Sequence, residues 1–195
     1  FIYHSLDRLI TYKFDTIFLS MLRAMLARGH SFCYSSYMTL NWYGEGCFRL
    51  ESRGITVAID PFESGLGLTA PRFASSIILV TAGPIIKPYV SQKLSDVHTV
   101  SGPGEYEIQG MMIHGVAVGA TIAYTLRTED ITIAFFGGLA SPTDISADAL
   151  EALSTADIVC LPVGGAPHLD AAAAVTLIKK LGPKIVIPSF YAIPG

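Results

Sequence analysis

Residues 39–60 read TLNWYGEGCFRLESRGITVAID, and this stretch decides the fold class. It contains three short runs rich in β-branched and aromatic residues, at 39–43, 47–52 and 55–59. Glycine-containing turns at residues 44–46 and 52–54 separate these runs. Because such runs bounded by turn residues are typical of strands, the stretch predicts a strand meander.

More strands are predicted after the meander. Asp60-Pro61 ends the third strand, and a glycine-rich loop continues to about residue 72. Residues 76–80 (SIILV) are continuously apolar, as in a strand covered on both faces. Residues 88–95 are predicted as one short helix. Further strands are expected at 97–100, 105–109, 111–118, 121–127 and 130–136.

The C-terminal third alternates between helices and strands. Residues 141–144 are predicted to start a helix, and Asp170 is predicted to cap a second one that ends at Gly182-Pro183. The expected apolar faces are Ile145, Ala149, Leu150 and Leu153 in the first helix, and Ala174, Leu177, Ile178 and Leu181 in the second. Strands are predicted at 157–161 and 184–187. Meanders followed by strand–helix–strand units predict an α/β fold in which helices cover the sheets.

The composition excludes several classes of protein. An apolar content of 51% with 15% charged residues excludes a disordered chain. A net charge of -3 without a basic stripe predicts that nucleic acid is not a partner. The three cysteines form no CxxC pair, so neither a disulfide framework nor a thiolate zinc site is indicated, and a reducing, cytoplasmic location is expected.

Residues 1–37 differ from the rest of the chain and are treated as an N-terminal extension. Apolar residues recur there at helical spacing: Leu6, Ile10, Phe14, Ile17, Met21 and Met25. Charged residues interrupt any apolar run long enough to span a bilayer, and the pattern of a secretory signal is missing. A docking helix, a membrane-surface helix and sequence outside the domain remain open as interpretations. The domain itself is expected over residues 38–195.

Six segments, taken in order, resemble the metallo-β-lactamase superfamily. They are residues 42–48, 59–62, 78–81, 101–106, 161–165 and 183–188. The resemblance is to the branch that contains ascorbate-6-phosphate lactonase-like and related zinc-dependent hydrolases. It implies a four-layer αββα sandwich. Because such relatives usually continue past the last strand into another helix, it also implies a chain truncated at its C-terminus.

The same resemblance implies that the metal ligands of the family are replaced. The family's His-x-His-x-Asp-His run falls on residues 82–87 (AGPIIK), its bridging Asp on a Gly and its last His on a Phe. The vestigial positions are Ala82, Pro84, Ile86, Lys87, Gly138 and Phe190. Since zinc requires imidazole, thiolate or carboxylate ligands, the expectation is that the zinc of active relatives is not bound here and that no residue is catalytic.

A residual polar site has three candidates. Asp60 corresponds to an acid that supports a ligand histidine in relatives, and here a turn role is favoured. Glu45 and Glu105 are predicted as loop carboxylates that approach the same opening and pair weakly with Asp60 for acid–base work. His114 and His168 are single histidines without metal-ligand spacing, and loop exposure is expected for His168.

The leading functional hypothesis is a pseudoenzyme that binds or scaffolds an unknown small molecule or protein. In this hypothesis Pro84, Ile86 and Phe190 fill the former metal cleft. The alternative is a metal-dependent hydrolase of lactone or phosphoester type with an atypical site. A metal-free hydrolase that uses Glu45, Asp60 or Glu105 is a third hypothesis. The sequence indicates neither the ligand nor the oligomeric state.

Overall fold

Two sheets form the centre of the molecule in the computed structural model, which describes residues 38–65, 67–86 and 96–191. The first sheet has five strands in the order β1-β2-β3-β4-β5. Their bounds are Thr39–Gly44 (β1), Cys47–Ser52 (β2), Ile55–Ile59 (β3), Ile77–Leu79 (β4) and His98–Val100 (β5). The meander β1–β2–β3 is antiparallel, as expected from its tight turns, and β3, β4 and β5 are parallel.

The second sheet has six strands in the order β11-β10-β9-β8-β7-β6. Their bounds are Gly104–Ile108 (β6), Met111–Val118 (β7), Thr121–Thr128 (β8), Ile131–Phe135 (β9), Ile158–Pro162 (β10) and Ile185–Ser189 (β11). Strands β6 to β9 are antiparallel, while β9, β10 and β11 are parallel because helical crossovers connect them. Each predicted strand is therefore confirmed within one to two residues at its ends.

In the six-stranded sheet, α1 at Ala147–Leu153 connects β9 to β10, and α2 at Ala171–Leu181 connects β10 to β11. The predicted cap of α2 is confirmed, since Asp170 Oδ1 accepts a hydrogen bond from the Ala173 N–H at 2.7 Å. The predicted start of the first helix was wrong. Ser141 caps only a 3-10 turn at Pro142–Asp144, Ile145 is extended, and α1 begins after a second cap at Ser146.

The core lies between the sheets and under the helices. One cluster fills the space between the sheets, with Leu50, Ile59, Tyr124 and Phe135 among its fully buried members. A second cluster joins the six-stranded sheet to α1 and α2, and a smaller one lies on the outer face of the five-stranded sheet. The α/β sandwich predicted from the sequence is thus confirmed.

Some predictions fall on residues that the structure does not describe. The helix expected at 88–95 and the extension at 1–37 both lie outside the described residues. Within the described ranges, no helix combines the length and the apolar character needed to cross a bilayer.

Candidate functional site

The carboxyl ends of the parallel strands of both sheets meet at one end of the sandwich. Asp60 follows β3, Thr81 lies just after β4, and Phe190 directly follows β11. The Ile122 N–H of β8 donates to the Thr81 carbonyl oxygen at 2.9 Å, which joins the two sheets at this end. We call this end the mouth and define it by Gly46, Asp60, Thr81, Gly138, His168 and Phe190. Ligand sites of open parallel sheets commonly lie at such ends.

Asp60 supplies a carboxylate at the base of the mouth. Its Oδ1 accepts a hydrogen bond from the Thr81 N–H at 2.7 Å, and its Oδ2 accepts one from the Thr81 hydroxyl at 2.6 Å. Burial raises the pKa of Asp60 to about 6, although both bonds from Thr81 act to lower it. Among the residues that the structure describes, no Lys or Arg forms an ion pair with Asp60. The mouth therefore contains a half-buried acid that has no cationic partner among the described residues.

Phe190 places an aromatic ring in the mouth. Its backbone is in the left-handed region, with φ of 50°, which is uncommon for a bulky residue. Its N–H donates to the Glu45 carbonyl oxygen at 3.3 Å, and the Trp42 Nε1–H donates to the same oxygen at 3.0 Å. Because Glu45 lies in the β1–β2 turn, these bonds attach the end of the six-stranded sheet to the five-stranded sheet.

Glycines surround the Phe190 ring and carbonyl at distances that leave no room for a side chain. A Cβ on Gly46 would lie 2.6 Å from Phe190 Cζ. A Cβ on Gly164 would overlap the Phe190 carbonyl oxygen and lie 2.9 Å from its carbonyl carbon. Real Cβ atoms do not approach other atoms this closely, so Phe190 is enclosed by backbone of both sheets.

His168 is a mouth residue that the sequence did not identify. It is half-buried rather than loop-exposed, and its ring centroid lies 4.3 Å from that of Phe190. Its Nδ1 lies 3.2 Å from the Gly138 carbonyl oxygen. Since a carbonyl only accepts, this bond assigns the proton of the neutral ring to Nδ1 and leaves the lone pair on Nε2. A single histidine in a Gly/Pro loop belongs to no motif, so the sequence did not indicate that His168 lies in the mouth.

Only some of the vestigial positions lie close together in the structure. Gly138 and Phe190 do come together, with 4.0 Å between Phe190 Cζ and a Cβ built on Gly138. Ala82 directly follows Thr81 and is exposed. Pro84 is also exposed, which contradicts the expectation that it fills the cleft, and Ile86 is half-buried. Lys87 lies outside the described residues.

No hydrogen bond joins the side chains of the predicted residual acids in the described part of the chain. Glu45 is half-buried in the β1–β2 turn, with φ of 47°. Glu105 was predicted both as the first residue of a strand and as a loop carboxylate; it lies in β6, exposed, opposite His114 of β7. A strand position fixes its side chain to one face of the sheet, so Glu105 does not approach Asp60 as a flexible loop residue would.

The donor set does not fit a zinc ion. No three His, Cys, Asp or Glu side chains within residues 38–65, 67–86 and 96–191 are grouped so that they could hold a metal. At the family's ligand positions, the methyl group of Ala82 and the rings of Pro84 and Phe190 offer no lone pair suited to zinc. We therefore derive no chemical step through a metal.

Comparison with known proteins identifies the family. A family model described as a beta-lactamase superfamily domain matches residues 39–189. No curated protein sequence matches the chain significantly. Solved structures that are similar include a candidate Zn-dependent hydrolase of the metallo-beta-lactamase superfamily from Thermotoga maritima. It is 24% identical with a TM-score of 0.70, and the match covers 80% of this chain and 77% of that one.

Two further solved structures share the fold. A candidate metal-dependent hydrolase from Parabacteroides distasonis is 16% identical with a TM-score of 0.62, over 86% of this chain and 89% of that one. A metallo hydrolase from the archaeon Ignicoccus hospitalis is 16% identical with a TM-score of 0.60, over 80% and 83%. At these identities the structures show the fold alone. Because the family model matches most of its length, the chain belongs to the beta-lactamase superfamily, and it shares the fold of these metal-dependent hydrolase structures.

Proposed function

We propose that this chain is a metal-free, non-catalytic member of its superfamily that works as a binding or scaffolding protein. The observation that carries the proposal is the Phe190 ring. It lies in the mouth, 4.3 Å from the His168 ring and enclosed by the backbone of Gly46. Hydrolysis assisted by a metal needs an open coordination position where water is bound and acidified. In this chain an aromatic ring takes up space in the mouth.

The polar groups that remain in the mouth support binding more than hydrolysis. Asp60 uses both carboxylate oxygens to accept bonds from Thr81, so its position is fixed by the fold. His168 uses Nδ1 on a backbone carbonyl. No hydrogen bond connects Asp60 to His168 in the described residues, whereas a base and the group that orients it need direct contact. Asp60 and His168 are therefore assigned positioning roles in this proposal.

A reducing compartment such as the cytoplasm is part of the proposal. Cys47 and Cys160 are both buried and free. Burial raises the pKa of both thiols, so they stay protonated and unreactive at neutral pH. The partner is proposed to be a small molecule or a protein, since a net charge of -3 gives little attraction to nucleic acid.

Metal analysis tests the proposal directly. The purified chain is incubated with zinc, iron or manganese, desalted, and its metal content measured by mass spectrometry beside the Thermotoga maritima relative. We expect much less than one metal ion per chain. About one ion per chain, reduced in Asp60→Asn and His168→Ala but not in the remote control Asp157→Asn, would contradict the proposal.

An atypical metal-dependent hydrolase is the second candidate function. It is favoured by the hydrolase names of the similar structures and by Asp60 and His168, the two ionisable side chains among the residues that define the mouth. Turnover of a simple lactone and of a phosphodiester is measured with each added metal and with a chelator. Turnover that the metals support, and that Asp60→Asn abolishes while Asp157→Asn preserves it, would establish this second function.

A further inference from the structure

One side of the sandwich is bounded by two sheet edges, β1 and β11. β1 is an edge strand of the five-stranded sheet and β11 is an edge strand of the six-stranded sheet, and each pairs with one neighbour in the described part of the chain. The two edges lie side by side, because the Trp42 ring centroid is 4.7 Å from that of Tyr191, which follows β11. The bond from the Phe190 N–H to the Glu45 carbonyl oxygen also joins them.

Four large apolar side chains lie along this side, which we call the seam. Met38 directly precedes β1 and Trp42 belongs to it, while Ile185 and Ile187 belong to β11. All four pack against the core between the sheets, and each is half-buried. The fold therefore covers these side chains only in part, and a further element packed on the seam would remove more of their apolar surface from water.

The β11 edge is poorly suited to pairing with another strand. The Ile185 N–H donates to the Asp157 carbonyl oxygen at 3.0 Å, so residue 185 faces β10. The Ser189 carbonyl oxygen accepts from the Val163 N–H at 3.0 Å, so residue 189 faces β10 as well. Because the backbone groups of successive residues point to opposite sides of a strand, Pro188 faces the free edge. Proline has no N–H to donate to an added strand.

The β1 edge has a second feature that opposes strand addition. Its register with β2 shifts between Trp42 and Gly44, which is a bulge or irregularity in the edge strand. A bulge interrupts the regular row of backbone groups that an added strand would need. An occupant of the seam must therefore satisfy its own backbone hydrogen bonds, as a helix does. This requirement argues against a strand of a second copy of the chain.

The chain itself supplies a segment with the pattern of such a helix. Residues 1–37 lie outside the described residues, and they join the domain at Met38, which is itself a seam residue. Six apolar residues recur at helical spacing from Leu6 to Met25 and would share one face of a helix about 30 Å long. Residues 26–37 span up to about 40 Å when extended, so the helix can turn back along the seam.

We propose that residues 6–25 dock on the seam as an amphipathic helix whose apolar face covers Trp42, Ile185 and Ile187. Burial of apolar surface on both sides stabilises the contact, while the polar face of the helix stays in water. The N-terminal segment is then part of the folded unit. This inference goes beyond the proposed function and does not depend on it, because none of the residues that define the mouth belongs to the seam.

Hydrogen exchange of the full chain, measured by mass spectrometry, tests the docking. We expect the amides of residues 6–25 to exchange at least about tenfold more slowly than in an unstructured peptide, in the monomer and without lipid. Ile17→Asp places a charge on the apolar face and is expected to abolish this protection. The same variant should shift the emission of Trp42, the single tryptophan, to longer wavelength and increase its quenching by acrylamide.

Thr16→Asp is the matched control, because it adds the same charge one residue away and outside the apolar face. Both signals should remain as in the unaltered chain. Slow exchange of the β10 amides shows in each variant that the sheets stay folded. If Ile17→Asp loses that protection, Phe14→Ala takes its place with the same expected results, since it shortens an apolar side chain without adding a charge.

Several results would overturn the proposal. Fast exchange of residues 6–25 in the unaltered chain is one, and a Trp42 signal that Ile17→Asp leaves unchanged is another. Equal effects of Ile17→Asp and Thr16→Asp would also contradict it. Protection that requires vesicles of anionic phospholipid would identify a membrane-surface helix instead. Protection that is lost when a dimer is diluted to the monomer would identify a second copy as the occupant.

Discussion

Asp60 and Asp157 lie at opposite ends of the sandwich, and their pKa values are shifted in opposite directions. Asp157 precedes β10, where its Oδ1 accepts from Lys184 Nζ at 2.7 Å and its Oδ2 from the Thr132 N–H at 3.0 Å. The bond from Lys184 is the main cause that holds the pKa of Asp157 below 3.8. Asp60 also accepts two hydrogen bonds, but burial raises its pKa to about 6. The direction of each pKa shift is therefore decided by the presence of a cation and by access to water, and not by the number of hydrogen bonds that the carboxylate accepts.

The opposite pKa shifts mean that the two acids have opposite effects on folding stability at neutral pH. At the amino ends of the strands, Asp157 stabilises the folded chain at neutral pH because its charge is paired and partly hydrated. In the mouth, ionised Asp60 destabilises the folded chain at the same pH. Acids whose pKa is perturbed by burial in a cleft are often found at functional positions.

Adding a methyl group to the mouth is expected to give the largest effect. In Gly164→Ala the new Cβ would overlap the Phe190 carbonyl, which is backbone and cannot turn aside. We expect a loss of about 3 kcal/mol or more in the free energy of unfolding, measured by denaturant titration. Gly65→Ala is the matched control, since no atom lies within 4 Å of its Cβ. Equal stability of the two variants would show that the mouth is not tightly packed.

Removing the mouth charge is expected to stabilise the chain at alkaline pH. The folded pKa of Asp60, about 6, is above its ordinary value of 3.8. Its favourable contribution is therefore complete below pH 3.8 and is lost as the pH rises through 6. Asp60→Asn should exceed the unaltered chain by at most about 3 kcal/mol at pH 8 and match it at pH 4. Denaturant titrations at both pH values measure this difference. A lower free energy of unfolding for Asp60→Asn than for the unaltered chain at pH 8 would contradict the prediction.

A buried serine tests the link between the sheets at the amino ends. Ser52 at the end of β2 lies 3.0 Å from the Thr128 hydroxyl, and its own hydroxyl donates to Glu129 Oε1 at 2.9 Å. Ser52→Ala removes the hydroxyl partner of the buried Thr128 side chain and one of the bonds to Glu129, and it should cost about 1–2 kcal/mol in denaturant unfolding. Ser154→Ala, at an exposed serine, is the control and should change stability by less than about 0.5 kcal/mol. Similar losses in both variants would contradict the assigned link.

The smallest effect is expected at the paired acid. Asp157→Asn removes the bond from Lys184, whose side chain is 81% exposed, so solvent screens most of its energy. We expect a loss below about 1 kcal/mol at pH 7. Because the folded pKa is depressed, this advantage should disappear as the pH falls below 3.8. A pH dependence of the same sign as that of Asp60→Asn would remove the contrast between the two ends.

Local sequence predicted most of the fold because its signals act over a few residues. The β-rich runs of 39–60 became β1, β2 and β3, and Gly182 ends α2 in a left-handed conformation with φ of 65°. The helix start at Ser141 failed because two capping serines, Ser141 and Ser146, follow one another closely. A sequence pattern does not show which of two adequate caps the chain uses.

The site was predicted less well, because its contacts join residues that are distant in sequence. The family pattern put Gly138 and Phe190 at one site, and a Cβ built on Gly138 would lie 4.0 Å from Phe190 Cζ. It gave no indication of His168, which enters the mouth through a loop and a backbone carbonyl. The exposure of Pro84 also depends on how the chain turns after β4, and no local signal specifies that turn.

The contact between His168 and Gly138 makes some evolutionary paths harder than others. An aspartate introduced at position 138 would begin with its Cβ 3.0 Å from His168 Cε1 and 4.0 Å from Phe190 Cζ. The substitution therefore requires His168 to move, although no other family ligand is yet present to hold a metal ion with the new carboxylate. A histidine introduced first at position 190 would find no imidazole at positions 82 and 84, which are Ala and Pro. Under the proposed function, each of these single substitutions is therefore expected to lower stability without completing a metal site, and their effects are expected to be non-additive because the two positions are in contact.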